Sequence, residues 1–102
     1  MALSSKERAA LRGEAHRLSA SVHIGQHGLT DTVRQTVDDD LRTHELVKIQ
    51  FTKNAGADVK DAANDLAAKL GADVVQVIGR TATLYRANPE LVRKEGRQPW
   101  QR

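Results

Sequence analysis

The sequence predicts a small α/β domain with one mixed, four-stranded sheet and helices packed on it. Segments with helical spacing of apolar residues alternate with short apolar strands, in the order α-β-α-β-α-β-β. Helices alternating with strands imply parallel neighbours in the sheet, whereas the two consecutive strands at the end imply an antiparallel pair. With 102 residues, of which 39% are hydrophobic, the chain can build one core but not two.

The first helix is predicted over residues 5–17. Ser4 and Glu7 form a Ser-x-x-Glu capping box at its start. Apolar residues recur at i, i+4 and i+7 along one stripe: Leu11, Ala15 and Leu18. Basic residues recur along a second stripe: Arg8, Arg12 and His16. Like charges at this spacing cost a few tenths of a kcal/mol per pair, so the second stripe is either a solvated face or a surface that contacts an anion.

A strand over residues 21–24 then leads into the loop Gly25-Gln26-His27-Gly28 and a helix that starts at Thr30. The glycines allow positive φ angles and the close approach of another backbone, and the first amides of a helix attract anions. The loop also follows the carboxyl end of its strand, where α/β sheets tend to bind ligands. It therefore suits a sugar-phosphate backbone, although two glycines three apart are also typical of a plain strand-to-helix turn.

The other elements follow from capping residues and periodicity. They are a helix over residues 30–43, a half-buried strand over 45–51, a helix over 58–71, and a hairpin of strands 73–78 and 81–86. Gly79-Arg80 suits a type II′ turn with Arg80 exposed at its tip. The run from Asp38 to Asp40 is interpreted as solvated surface, because consecutive helical residues diverge by about 100° and cannot converge on one metal ion.

Positive charge gathers toward the two ends of the chain. The net charge is +2 over residues 1–30, −3 over residues 31–79 and +4 over residues 80–102. If the fold joins the ends, a basic face for a polyanionic partner results. The apolar period stops near residue 87, which predicts a domain over residues 1–87 and a basic, flexible tail over 88–102. Trp100 in that tail packs on the domain, stacks on a base or stays loose.

Several classes of protein are disfavoured by composition. The chain has no cysteine, which removes disulfides and Cys-type zinc sites and fits a reducing compartment. No apolar run is long enough to span a membrane, and the first residues lack the apolar region of a signal peptide, so a cytoplasmic protein is expected. Four histidines could contribute to a metal or acid-base site, but no HExxH-type spacing is present: His16, His23, His27 and His44.

Several short motifs, taken in order, resemble the CRM domain, and more narrowly the stand-alone bacterial YhbY-like proteins of that family. They are Leu3-Ser4, Arg12-Gly13, Ala15-His16, the segment from Ile24 to Thr30, the segment from His44 to Lys48, the segment from Val75 to Arg80, and Leu84-Tyr85-Arg86. The resemblance spans residues 3–87. It implies a fold like the C-terminal domain of translation initiation factor three, a Gly-x-x-Gly RNA-binding loop, and association with precursors of the large ribosomal subunit.

The resemblance also implies candidate RNA-binding positions. The loop maps to residues 25–28, and the basic hairpin positions map to Arg80 and Arg86. Many family members carry Lys or Arg after the first glycine, where this chain has Gln26, so its loop depends more on backbone amides and on neighbouring cations. The full predicted set is Arg12, His16, Arg17, Gly25, Gln26, His27, Gly28, Lys48, Lys53, Arg80 and Arg86.

The leading hypothesis is a monomeric RNA-binding protein that acts on ribosomal RNA during large-subunit assembly. It needs no cofactor, metal, small-molecule substrate or membrane. Few bases should be read, because aromatic stacking platforms are scarce, and Tyr85 is either a stacking residue or a half-buried strand residue. The alternatives are a protein adaptor that docks on the ribosome through the acidic middle segment, and a small histidine- or metal-dependent enzyme.

Overall fold

A computed structural model describes residues 3–53, 58–91 and 99–100. It contains three helices and four strands in the predicted order. These are α1 (Ser5–Ala15), β1 (Val22–Ile24), α2 (Asp31–His44), β2 (Leu46–Phe51), α3 (Val59–Leu70), β3 (Asp73–Ile78) and β4 (Thr81–Tyr85). The predicted α/β fold class is therefore confirmed.

The four strands form one mixed sheet in the order β1-β2-β4-β3. β1 pairs with β2 in parallel, and β2 and β3 each pair with β4 in antiparallel fashion. The parallel pair follows from the helical crossover α2 between β1 and β2. The two-residue turn between β3 and β4 has a positive φ of 57° at Gly79, as a type II′ turn requires at its first central position.

The main core lies on the sheet face that α2 and α3 cover. Alternate residues of β2 point into it, namely Val47, Ile49 and Phe51, and all three are almost completely buried. α2 contributes Val37 and Leu41, and α3 contributes a broad apolar face: Ala62, Ala63, Leu66 and Ala67. The predicted caps of α3 are confirmed, with Asp58 at its start and Gly71 in a left-handed conformation at its end.

The opposite face of the sheet is covered only in part, by α1. Arg8 Nη1 donates to the Val74 carbonyl (3.0 Å) on β3, and Lys48 Nζ donates to the Ala15 carbonyl (3.2 Å) from β2. α1 therefore crosses the strands from β3 to β2. A second, smaller apolar cluster fills the space beneath it: Leu11, Leu46, Val75 and Trp100, with Leu3, Leu18 and Tyr85 partly buried around them.

Two junctions differ from the sequence-based expectation. α1 ends at Ala15 rather than at residue 17, because the chain tightens there into i→i−3 bonds from Arg17 to Glu14 and from Leu18 to Ala15. α2 passes into β2 through the single residue Glu45, which is buried and has a φ of 66°. Such a conformation is strained for a residue with a side chain. The Glu45 amide donates to the Leu41 carbonyl (2.9 Å) and its carbonyl accepts from the Arg86 amide (2.9 Å), and these bonds hold the junction in place.

Candidate nucleic-acid interface

The loop after β1 closes as a compact β-turn. The Gly28 amide donates to the Gly25 carbonyl (3.0 Å), which places Gln26 and His27 at the two central positions. Both of these side chains are exposed. The Thr30 amide then donates back to the Gly28 carbonyl (3.1 Å), so the turn runs directly into the cap of α2.

The two glycines of this loop have different roles. Gly28 has a φ of 65°, so the turn itself favours glycine there. Gly25 lies outside the positive-φ region, and a Cβ placed on it would meet no atom within 4 Å. Neither backbone conformation nor packing thus demands glycine at position 25. The missing side chain leaves bare backbone at the surface, where a ligand can approach closely.

The start of α2 attracts an anion less strongly than the sequence suggested. The Thr30 hydroxyl already accepts a hydrogen bond from the Val33 amide (3.2 Å), and the exposed carboxylate of Asp31 lies in the first turn. Arg34 pairs with Asp31 and donates to the Leu29 carbonyl (3.1 Å), so it braces the end of the loop. Anion attraction by the helix start is therefore opposed by Asp31.

Basic side chains join the glycine loop at one edge of the sheet. The Thr52 amide donates to the Ile24 carbonyl (2.9 Å), and the preceding Phe51 amide donates to the Arg80 carbonyl (2.7 Å). The end of β2 thus lies between the loop and the hairpin tip, and two strand spacings set these about 10 Å apart. Exposed Lys53 follows directly. We call the loop of residues 25–28, Lys53 and Arg80 the glycine-loop edge.

The end of α1 forms a second basic group on the face of the sheet that α1 covers. The side chains of Arg12, His16 and Arg17 are all exposed there. Arg17 makes one long ion pair with Glu14 (3.7 Å) and remains 78% exposed, so this pair contributes little to stability. Lys48 differs from these residues, because its ammonium caps the end of α1 by donating to the carbonyls of Ala15 (3.2 Å) and Leu18 (3.1 Å).

Arg86 is held inside the protein rather than offered at the surface. Its guanidinium donates to Asp38 Oδ1 (2.8 Å), to the Leu70 carbonyl (2.8 Å) and to the Asp38 carbonyl (3.1 Å). Only 24% of the side chain is exposed. Arg86 therefore joins the end of β4 to α2 and to the end of α3, away from the glycine-loop edge.

The acidic run on α2 is not a uniformly solvated face, which corrects the sequence-based interpretation. Asp38 binds Arg86, and Asp40 accepts a hydrogen bond from the Ser21 hydroxyl (2.6 Å) and pairs with His44 (2.7 Å). Only the middle residue, Asp39, is classed as exposed. Two of the three carboxylates therefore position neighbouring elements, a role that depends on contacts far apart in the sequence.

Trp100 packs back on the domain, the first of the three possibilities left open by the sequence. Its ring meets Tyr85 edge to face, with the ring centroids 6.2 Å apart, and its Nε1 donates to Glu14 Oε2 (3.3 Å). Trp100 is 6% exposed. Asn88 also contacts the domain, through Glu45 Oε2 (2.6 Å). Residues 92–98 and 101–102 of the predicted flexible tail lie outside the described residues.

Neither a metal-binding cluster nor a membrane-spanning helix is found in the part of the chain that the structure describes. Among residues 3–53, 58–91 and 99–100, no three His, Asp or Glu side chains are placed to hold a metal ion. Within the same ranges, no helix has the length and apolar character needed to cross a membrane.

The geometry defines a class of protein: a single-sheet α/β domain with an exposed glycine turn and cations gathered at one edge. The model of the CRS1 / YhbY (CRM) domain matches residues 3–86. The chain therefore belongs to the CRM domain family, and the resemblance noted in the sequence is confirmed.

Similar proteins agree with this assignment. The chain is 31% identical to the "Probable RNA-binding protein YqeI" of Bacillus subtilis, over 86% of this chain and 92% of that protein. It is 37% identical to an RNA-binding protein of Haemophilus influenzae, over 86% of this chain and 89% of that protein. The solution structure of SAV1595 from Staphylococcus aureus, a candidate RNA-binding protein, superposes with a TM-score of 0.75 at 31% identity, covering 87% of this chain and 93% of that one.

Proposed function

We propose that this chain is a non-catalytic RNA-binding protein whose glycine-loop edge holds the sugar-phosphate backbone. The observation that carries the proposal is the exposed turn of residues 25–28 with Lys53 and Arg80 beside it at one edge of the sheet. Bare backbone at Gly25 allows close approach, and flanking cations supply the charge that Gln26 lacks. The names of the relatives, which refer to RNA binding, support the same reading.

The proposal divides the predicted residues into two groups. The first group is assigned to RNA contact, and its members are exposed except for the half-buried Gly28: Arg12, His16, Arg17, Gly25, Gln26, His27, Gly28, Lys53 and Arg80. The second group supports the fold, because Lys48 caps α1 and Arg86 joins three elements. Removing a residue of the second group would alter RNA binding through the fold rather than by losing a phosphate contact.

Substitution of the turn tests this proposal. The double variant Gln26→Asp, His27→Asp places two carboxylates where phosphates approach, so affinity for a structured RNA should fall about tenfold or more by repulsion. Its thermal midpoint should stay within about a degree of wild type, because both side chains are exposed and surface substitutions change stability little. Filter binding and calorimetry measure the two quantities.

The matched control is Asn64→Asp, Ala68→Asp, which adds the same charge to the exposed face of α3. This control should retain nearly all RNA affinity. Wild-type binding that is strong at low salt and falls steeply at high salt supports phosphate contacts. Absence of RNA binding by the wild type would favour a protein adaptor instead, and equal affinity of the loop variant and the control would remove the turn from the site.

The finer part of the proposal is that the bound RNA is ribosomal RNA in precursors of the large subunit. The support is the resemblance to stand-alone YhbY-like members of the family. Such a target requires no reaction and no cofactor, and we propose that the chain acts on it as a monomer in the cytoplasm. Cross-linking in cells, followed by sequencing of the attached RNA, should recover large-subunit precursors. Cross-links spread evenly over messenger RNAs would contradict this target.

A further inference from the structure

One residue from each strand forms a row across the open part of the sheet. In the strand register, His23 on β1 pairs with Gln50 on β2, which pairs with Thr81 on β4, which pairs with Ile78 on β3. Directly paired residues share a face of a sheet, and these four lie on the face opposite the main core. Three strand spacings make the row about 14 Å wide. We call it the open row.

The open row remains exposed because α1 covers only the other half of this face. α1 and Trp100 pack over the half that contains Leu46 and Tyr85. In the open row, His23 and Gln50 are exposed, Thr81 is half-buried, and Ile78 is 56% exposed. Ile78 is the one large hydrophobic residue that is exposed within the described ranges. The open row therefore presents an apolar side chain to solvent, which no other described part of the surface does with a residue of this size.

The open row is continuous with the proposed phosphate site. His23 lies two residues before Gly25, and Ile78 and Thr81 flank the turn that presents Arg80. On its other side the row borders Lys48, two residues before Gln50 on the same face, where the end of α1 brings exposed Arg17. The row itself carries no carboxylate, whereas exposed cations lie on both of its sides, Lys53 and Arg80 on one and Arg17 on the other. An RNA strand whose phosphates follow these cations would place its bases over the row.

We propose that the open row binds unpaired bases of a single-stranded RNA segment whose backbone lies on the glycine-loop edge. This inference rests on the proposed function and names the form of RNA that the same site takes. His23 provides a ring that stacks on a base, the Gln50 amide and the Thr81 hydroxyl bind base edges, and Ile78 contacts a base face. About two or three bases fit across a four-stranded sheet of this width.

The chemistry of the row favours bases over other partners. An amide and a hydroxyl can each both donate and accept hydrogen bonds, as base edges require, and neither would repel a neighbouring phosphate. In an RNA duplex the base faces are stacked and the Watson–Crick edges are paired, so a flat sheet face cannot reach either of them. The site therefore selects single-stranded loops, bulges or ends, even though the domain lacks aromatic stacking platforms of the usual kind.

Oligonucleotides that lack bases test the proposal with the wild-type protein. A single-stranded RNA of about ten nucleotides is compared with the same chain carrying three adjacent abasic riboses, which keep every phosphate. Loss of three bases should weaken binding about tenfold or more, because each stacked or bonded base contributes a few-fold or more in affinity. The slope of affinity against salt should stay the same, since the phosphate contacts are retained.

The variant Gln50→Ala, Ile78→Ala then locates the effect in the protein. This variant should bind the intact oligonucleotide about as weakly as wild type binds the abasic one, and it should lose most of its sensitivity to base removal. The matched control Gln35→Ala removes the same kind of amide from α2, on the other side of the sheet, and should bind as wild type does. Thermal midpoints check that both variants fold.

The outcomes separate this inference from the proposed function. Equal affinity of wild type for intact and abasic oligonucleotides overturns the role of the open row, while loop-dependent RNA binding would leave the proposed function in place. A preference for duplex RNA over single-stranded RNA would likewise overturn the role of the open row and leave the proposed function in place. Failure of wild type to bind any RNA overturns both. Unchanged binding and base sensitivity in Gln50→Ala, Ile78→Ala would show that bases are contacted elsewhere, which also overturns this inference.

Discussion

At the scale of single residues, the two glycines of the loop separate a folding requirement from a binding requirement. Gly28 needs a φ of 65°, whereas Gly25 has neither a positive φ nor a crowded Cβ position. We expect Gly25→Ala to leave the thermal midpoint within about a degree of wild type. We also expect it to weaken RNA binding about fivefold or more, because the methyl group would stand where the RNA backbone approaches.

Gly28→Ala is the comparison that makes this prediction specific. It places a side chain in the left-handed region, so it should cost about 1 kcal/mol of stability. Calorimetry and filter binding on both variants give the two quantities. If Gly25→Ala bound RNA as tightly as wild type, close backbone approach at this glycine would be excluded.

Arginine residues show where reasoning from sequence stops at this scale. Arg80 and Arg86 looked alike as basic residues of the terminal hairpin. Arg80 lies exposed at the turn, as the two-residue connection predicts, because the turn type depends on neighbouring residues alone. Arg86 instead meets Asp38 and the Leu70 carbonyl. The contact with Asp38 joins residues 48 apart along the chain, and only tertiary packing could reveal it.

At the scale of elements, the capping box of α1 is a local sequence signal whose contribution to stability can be tested by varying the pH. Its predicted capping box is present, with the Glu7 amide donating to Ser4 Oγ and the Ser4 amide donating to Glu7 Oε1, both at 3.1 Å. Hydrogen bonds from the Ser4 side chain and from its backbone lower the pKa of Glu7 below the ordinary value of 4.5. The ionised form is thus favoured in the folded state.

A lowered pKa contributes stability above the ordinary pKa, and this contribution is lost as the pH falls through the lowered one. We therefore expect the thermal midpoint of wild type to fall more steeply between about pH 5 and about pH 3 than that of Glu7→Gln, which cannot ionise. Glu90→Gln, at an exposed glutamate, should keep the wild-type steepness. Equal slopes for Glu7→Gln and wild type would show that the capping carboxylate is not linked to folding.

The type of each element was predictable because it depends on a short window of sequence. The residue at which an element ends was harder to predict. Caps at Ser4, Thr30 and Asp58 mark the helix starts correctly. The apolar stripe predicts an end of α1 two residues too late, because Leu18 continues the stripe although the chain has already left the helix. Leu18 is still partly buried, because it packs against the second apolar cluster on the α1 face of the sheet. A periodic pattern reports burial, which does not require a continuing helix.

At the scale of the whole molecule, the sheet register positions the candidate interface, and the sequence alone could not supply it. Alternation along β1 left open which way His23 faces, since a strand of three residues carries little pattern. Pairing with Gln50 on a sheet already oriented by its core settles that His23 lies on the α1 face and is exposed. The loop motif was predictable from the sequence, but the open row beside it, with one residue from each of the four strands, was not.

Trp100 raises the question of where the folded unit ends. The sequence predicts that the domain ends at residue 87, and the family model matches only as far as residue 86. Trp100 nevertheless fills the second core cluster against Leu11 and Tyr85 and donates to Glu14. Because Leu11 and Leu46 would be uncovered without it, we expect Trp100→Ala to lower the free energy of unfolding by about 3 kcal/mol.

RNA affinity should change little in this variant once both proteins are folded. Trp100 packs beside Tyr85, which lies four residues along β4 from Thr81, about 13 Å from the open row.

Trp100 is the single tryptophan of the chain, so its fluorescence gives a direct second measurement. Emission should shift to longer wavelength on unfolding and stay unchanged when RNA is added. Trp100→Phe, which keeps an aromatic ring, should restore most of the stability. Quenching by RNA, together with lost affinity in Trp100→Ala at full stability, would instead identify Trp100 as a base-stacking residue.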